Sequence, residues 1–145
     1  MGEPEIVGVI VERIMGELAK TIMERNMNED VFWEKGAEML AVLQEQIESL
    51  RKGPGTPEGF YDLYKAMEGY RDHVWHFLLS LPGRDRRPIQ AKLPHEIFDL
   101  INEAMTLANE ACERQVIDKD LALGIGMMNN CIAMGAGVSI HWPDN

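Results

Sequence analysis

Cysteine is scarce in this 145-residue chain. Cys112 and Cys131 form no CxxC pair, which excludes a disulfide framework and a cysteine-based zinc site. Positive charge is scarce as well: 14 basic residues face 24 acidic ones, for a net charge of -10. That balance argues against duplex DNA and anionic membrane surfaces as partners, since both reward a basic surface. No long apolar run occurs. The longest, Leu121 to Met128, stops at Asn129-Asn130, far short of the roughly 20 residues a membrane span needs. The opening MGEPEIVGVIVER puts acids where a secretory signal needs positive charge. The expectation is therefore an intracellular, cytoplasmic protein without a membrane span.

The usual catalytic signatures are missing too. No GxxxxGK[ST], GxSxG or HExxH is present, nor a GxGxxG after a strand. A ferritin-like di-iron bundle needs Glu-x-x-His twice. None of His73, His76, His95 and His141 has a glutamate three residues before it. Internal repeats are absent, and the one alternating stretch is a short VSIHW near the end.

What is present is helix. Hydrophobic residues at 46% and charged residues at 26% are the composition of a globular chain, and the length suits one domain over residues 1–145. Ile6, Val7, Ile10, Ile14, Leu18, Ile22 and Met23 recur at helical spacing and predict a first helix from Glu3 to about Arg25. Asn26 to Asp30 reads as turn and cap, with a second helix from about Glu29 to Lys52. Gly53 to Gly59 breaks the chain with two prolines and three glycines. A third helix follows from about Pro57 to Leu81, and Leu81 to Pro94 reads as a proline-punctuated loop. A fourth helix runs from about Pro94 to Val116. A shorter fifth, capped by Asp118 or Asp120, reaches Met127 to Met134 before a glycine-rich tail. The predicted fold is an all-α bundle of four long helices and a shorter C-terminal one.

Carboxylates on these helices are the candidate chemistry. Glu34, Glu38, Glu45 and Glu48 fall within about 80° of one another around the second helix. Such a stripe can hold Mg²⁺ through oxygen ligands. It is also what the solvated face of an amphipathic helix looks like, because Leu40, Leu43, Ile47 and Leu50 lie nearly opposite. On the third helix Glu68 and Asp72 share a face, flanked by Tyr61, Tyr64 and Trp75. Aromatics beside paired acids describe a site wall or a partner-binding face, and equally a solvated face with amphipathic rings. Arg84, Arg86, Arg87 and Lys92 concentrate in the following loop, against Asp85. Guanidinium forks suit phosphate oxygens, whereas the plainer role is pairing with acidic neighbours. Asn102, Asn109 and Asn129-Asn130 read either as amides facing a nucleobase or as hydrogen-bonded core amides.

With those residues in place, the chain resembles the MazG-like all-α nucleoside triphosphate pyrophosphatases. In that family one helix carries Glu-Glu-x-Gly-Glu, often closing near Arg-Lys-Gly, and the next carries Glu-Glu-x-Gly-Asp. Here AVLQEQIESLRKG supplies Glu45 and Glu48, with Arg51-Lys52-Gly53 at its close, and EGYRDHVWHFLLSL supplies Glu68 and Asp72. An alternative register aligns EKGAE, with Glu34 and Glu38. The chain departs from the pattern at Ala41-Val42, at Gln44 and Arg71, and in ExxxD spacing between Glu68 and Asp72. The resemblance implies a homo-oligomeric bundle in which Glu45, Glu48, Glu68 and Asp72 hold Mg²⁺ and convert a nucleoside triphosphate to monophosphate and pyrophosphate. Arg84, Arg86 or Arg87 would steady the phosphates, and Tyr61, Tyr64 or Trp75 would stack the base. Two alternatives stand beside it: a degenerate relative that binds nucleotides without turnover, and a non-catalytic helical bundle serving as an interaction or assembly protein.

Overall fold

A computed structural model describes the backbone of residues 3–137 and the side chains of residues 13–16 and 28–137. The order of elements is α1 (Glu3–Arg51), α2 (Pro57–Ser80), α3 (Gly83–Lys92), α4 (Glu96–Glu113) and α5 (Lys119–Gly135). All regular structure among the described residues is helical, as the periodicity predicts; the VSIHW segment lies outside them. No described helix is long and apolar enough to cross a membrane.

Two elements differ from the sequence reading. The first and second predicted helices are one helix, α1. Asn26 to Asp30 contains neither glycine nor proline, so continuing the helix costs only tenths of a kcal/mol per residue, about 0.7 at most. The predicted loop after α2 contains α3. Its prolines fall where a short helix tolerates them. Pro82 precedes the first turn as the N-cap, and Pro94 follows the end. Pro88, inside the helix, forfeits one backbone hydrogen bond. Burial of Ile89, Gln90 and Leu93 fixes the helix on its apolar side.

By compactness the chain divides into two units, residues 1–35 and residues 36–145. The first is the N-terminal part of α1. Arg13, Ile14, Met15 and Gly16 are exposed. Further along, Trp33 donates its indole N–H to Glu29 Oε1 at 3.3 Å and meets Phe32 edge-on, centroids 4.9 Å apart. The rest of the predicted apolar stripe, Ile6 to Met23, lies outside the described side chains.

The second unit holds the core. Leu40, Leu43, Ile47 and Leu50 come from α1, and Phe60, Leu63, Met67, Tyr70, Val74 and Leu78 from α2. Ile97, Ile101, Ala104, Ala108 and Ala111 of α4 are buried, as are Ala122, Ile125, Met128 and Ile132 of α5, and the two helices pack on one another. Each fully buried large aliphatic contributes about 1.5–3 kcal/mol. Helix α5 packs on both α2 and α4. Between α1 and α2 the chain turns at Gly55, whose φ of +76° suits glycine. A side chain there would also strike Phe60, with Cβ 2.7 Å from the ring. Thr56 then caps α2, its Oγ1 accepting from Gly59 N at 3.0 Å. Of the two predicted caps for the last helix, Asp118 is the one used, accepting from Leu121 N at 2.8 Å.

Candidate functional site

The carboxylates read from the sequence lie on two helices, α1 and α2. Glu34, Glu38, Glu45 and Glu48 are exposed along α1, and Glu48 pairs with Lys52 at 3.5 Å. On α2, Glu68 pairs with Lys65 at 3.5 Å, raising the lysine's pKa through the opposite charge. Asp72 accepts from Nε and Nη2 of Arg71 at 2.9 and 2.8 Å. Among the described residues no group of three or more His, Cys, Asp or Glu side chains is placed to hold a metal ion. Mg²⁺ prefers near-octahedral oxygen ligation, usually through one or two carboxylates with water and substrate phosphates. The Arg51 of the Arg-Lys-Gly close is also committed. It grips Glu103 of α4 through two hydrogen bonds, at 2.5 and 2.6 Å, which hold the Glu103 carboxyl below its ordinary range.

The basic and aromatic residues have their own tasks. Arg86 donates through Nε to the carbonyls of Leu78 and Leu81, at 2.8 and 3.1 Å, so it closes the C-terminal end of α2 where carbonyls lack helical partners. Arg84 and Arg87 are exposed, and Arg87 lines a cavity of about 280 Å³ with Gln90, His95 and Phe98. Trp75 is half-buried. Its indole N–H donates to the Cys131 carbonyl at 2.9 Å, and its ring lies against Gly135, where a Cβ would sit 3.1 Å from Nε1. Tyr61 is exposed, with Lys65 Nζ 5.6 Å from its ring centroid. Tyr64, 6.4 Å from Tyr61 between centroids, covers Gly124.

The asparagines resolve unequally. Asn129 is buried and donates to the Ile101 carbonyl at 2.9 Å and to Asn102 Oδ1 at 3.1 Å, a core amide tying α5 to α4. Asn109 and Asn130 are exposed.

Two surface grooves are larger than the cavity beside Arg87. One, of about 580 Å³, lies between Tyr61 and Tyr64 of α2 and the segment carrying Asp118, Asp120 and Leu121. The other, of about 490 Å³, runs between Met105, Asn109 and Cys112 of α4 and Leu123, Met127 and Asn130 of α5. Leu123 is 65% exposed, Met127 61% and Met134 42%. These residues recur at helical spacing on the side of α5 away from Ala122, Ile125, Asn129 and Ile132, which forms an apolar outer stripe.

Sequence reasoning missed this second surface. Its signal was the uninterrupted run Leu121 to Met128. An apolar run of that length puts apolar side chains on the outer side of its helix as well as the inner one. Compared with known proteins, the chain matches no protein-family model, no curated protein and no solved structure.

Proposed function

We propose that this chain is a non-catalytic helical-bundle protein that works by association, an assembly or adaptor subunit. The observation that carries this reading is the exposed stripe Leu123, Met127 and Met134 beside the groove on α4. Apolar side chains grouped on one exposed face are the kind of surface proteins use for association. The groups that catalysis would draw on are engaged elsewhere. Asp72 is bound by Arg71, Glu68 pairs with Lys65, Arg86 caps α2 and Trp75 is turned toward α5.

The competing reading is Mg²⁺-dependent hydrolysis of a nucleoside triphosphate. It would draw on carboxylates brought together around the metal, and among the described residues no group of three or more is so placed. The test is a panel of ribo- and deoxyribonucleoside triphosphates, each with Mg²⁺, with Mn²⁺ and with chelator. Pyrophosphate release and the thermal unfolding midpoint are read together. The expected result is no metal-dependent release and no shift in midpoint beyond that of an equal ionic strength of NaCl. Metal-dependent release from one substrate, lost in Asp72→Asn, would replace this reading with the hydrolase. A midpoint raised by nucleotide plus metal, without release, would replace it with a nucleotide-binding relative.

A further inference from the structure

We infer that the partner of the α4–α5 groove is a second copy of this chain, docked about a twofold axis with α5 against α5. The inference rests on the assembly reading above and names its partner.

Charge is the first argument. With a net charge of -10, two copies repel one another over most of their surface. The groove between α4 and α5 is different: its lining contains no carboxylate and a single cation, Lys119. The neighbouring groove carries Asp118 and Asp120 and would set acid against acid if two copies met there. A basic partner would be drawn to the acidic faces, so the carboxylate-free face suits a partner as acidic as the chain itself.

Self-complementarity is the second argument. A twofold interface brings one patch against the same patch, so its polar groups must pair with their own kind. Asn109 and Asn130 meet that condition, because an amide carries both donors and acceptors. Around them Leu123, Met127 and Met105 supply apolar contact, and methionine adapts its shape to what it meets.

A glycine in the groove points the same way. Gly126 lies in the groove within α5, and a Cβ placed on it would meet nothing within 4 Å. By contrast, Gly124 makes room for Tyr64 and Gly135 for Trp75. Glycine inside a helix costs about 1 kcal/mol relative to alanine, and at Gly126 no contact among the described residues explains it. A second α5 crossing at this point would explain it, since helices approach to about 8–10 Å according to the side chains at the contact. Position 126 is also close to the middle of α5, where a helix meets itself in a twofold crossing.

The experiment is sedimentation velocity on the full chain and on three variants: Leu123→Glu with Met127→Glu, Gly126→Arg, and Leu79→Glu. The wild type is expected to sediment as a dimer at micromolar concentration. The double variant and Gly126→Arg should sediment as monomers with unchanged helical circular dichroism, since Leu123 and Met127 are exposed and a Cβ on Gly126 meets nothing within 4 Å. Leu79 is exposed on α2 outside the groove, and its variant should remain dimeric. A wild-type monomer, or groove variants that dimerise like the wild type, would overturn the inference. In the second case the assembly reading would stand with its surface elsewhere, whereas metal-dependent pyrophosphate release would remove that reading whatever the mass in solution.

Discussion

At the scale of single residues, Gly135 and Gly126 share a helix and answer to opposite demands. Gly135 is held by its surroundings. A methyl group there would press on the Trp75 indole at 3.1 Å and on Val74 at 3.4 Å, against a bond from indole N–H to the Cys131 carbonyl. Gly135→Ala is therefore expected to lower stability by about 1–3 kcal/mol, as overpacking does, read from urea unfolding. Gain of stability would show that Trp75 shifts freely. Tyr70 makes a different point. It is buried in the core, and burial raises its phenol pKa from 10.0 to about 12. Because the folded pKa is raised, Tyr70 contributes stability that is complete below pH 10 and declines as pH rises through about 12. Titration of tyrosinate absorbance should show one late step that is missing from Tyr70→Phe; a wild-type titration without that step would contradict the assignment.

At the scale of elements, the α4–α5 connection carries a strained residue. Gln115 has φ of 61°, in the left-handed region where glycine usually closes a helix. The surrounding bonds are those of such a closure: Val116 N donates to the Ala111 carbonyl at 2.8 Å and Gln115 N to the Cys112 carbonyl at 3.0 Å. Gln115→Gly should raise stability by about 1 kcal/mol, measured by urea unfolding. A loss would mean that the glutamine side chain contributes more than its backbone costs.

Most elements were legible in the sequence. The breaker Gly53 to Gly59, the apolar repeat of α2 and the Asp118 cap each act locally, so their residues carry the signal. The continuity of α1 and the existence of α3 were less legible. Asn26 to Asp30 suits a turn and a helix nearly equally, and the burial of Ile89 and Leu93 that secures α3 is a tertiary fact. The candidate site was less legible again. Glu45, Glu48, Glu68 and Asp72 are where the periodicity puts them on their helices. Spacing along a helix, however, does not tell which face another helix covers, nor that Arg71 would engage Asp72. The groove on α4 and α5 needed the packing of both helices, because Leu123 and Ile125 look alike in sequence and differ only in what lies beside them.

At the scale of the whole molecule, an acidic chain presents a groove without carboxylates between α4 and α5, and that groove is its proposed working surface. Repulsion between two such chains is long-ranged and sensitive to salt, while the apolar contact is short-ranged and is not. Between about 0.01 M and 0.15 M ionic strength the screening length falls from about 30 Å to about 8 Å. The most direct test is sedimentation equilibrium of the full chain at those two ionic strengths. The expected result is a dimer whose dissociation constant falls as salt rises, because screening removes the repulsion and leaves the apolar contact. A single-chain mass at both ionic strengths, or a dimer that salt dissociates, would contradict it.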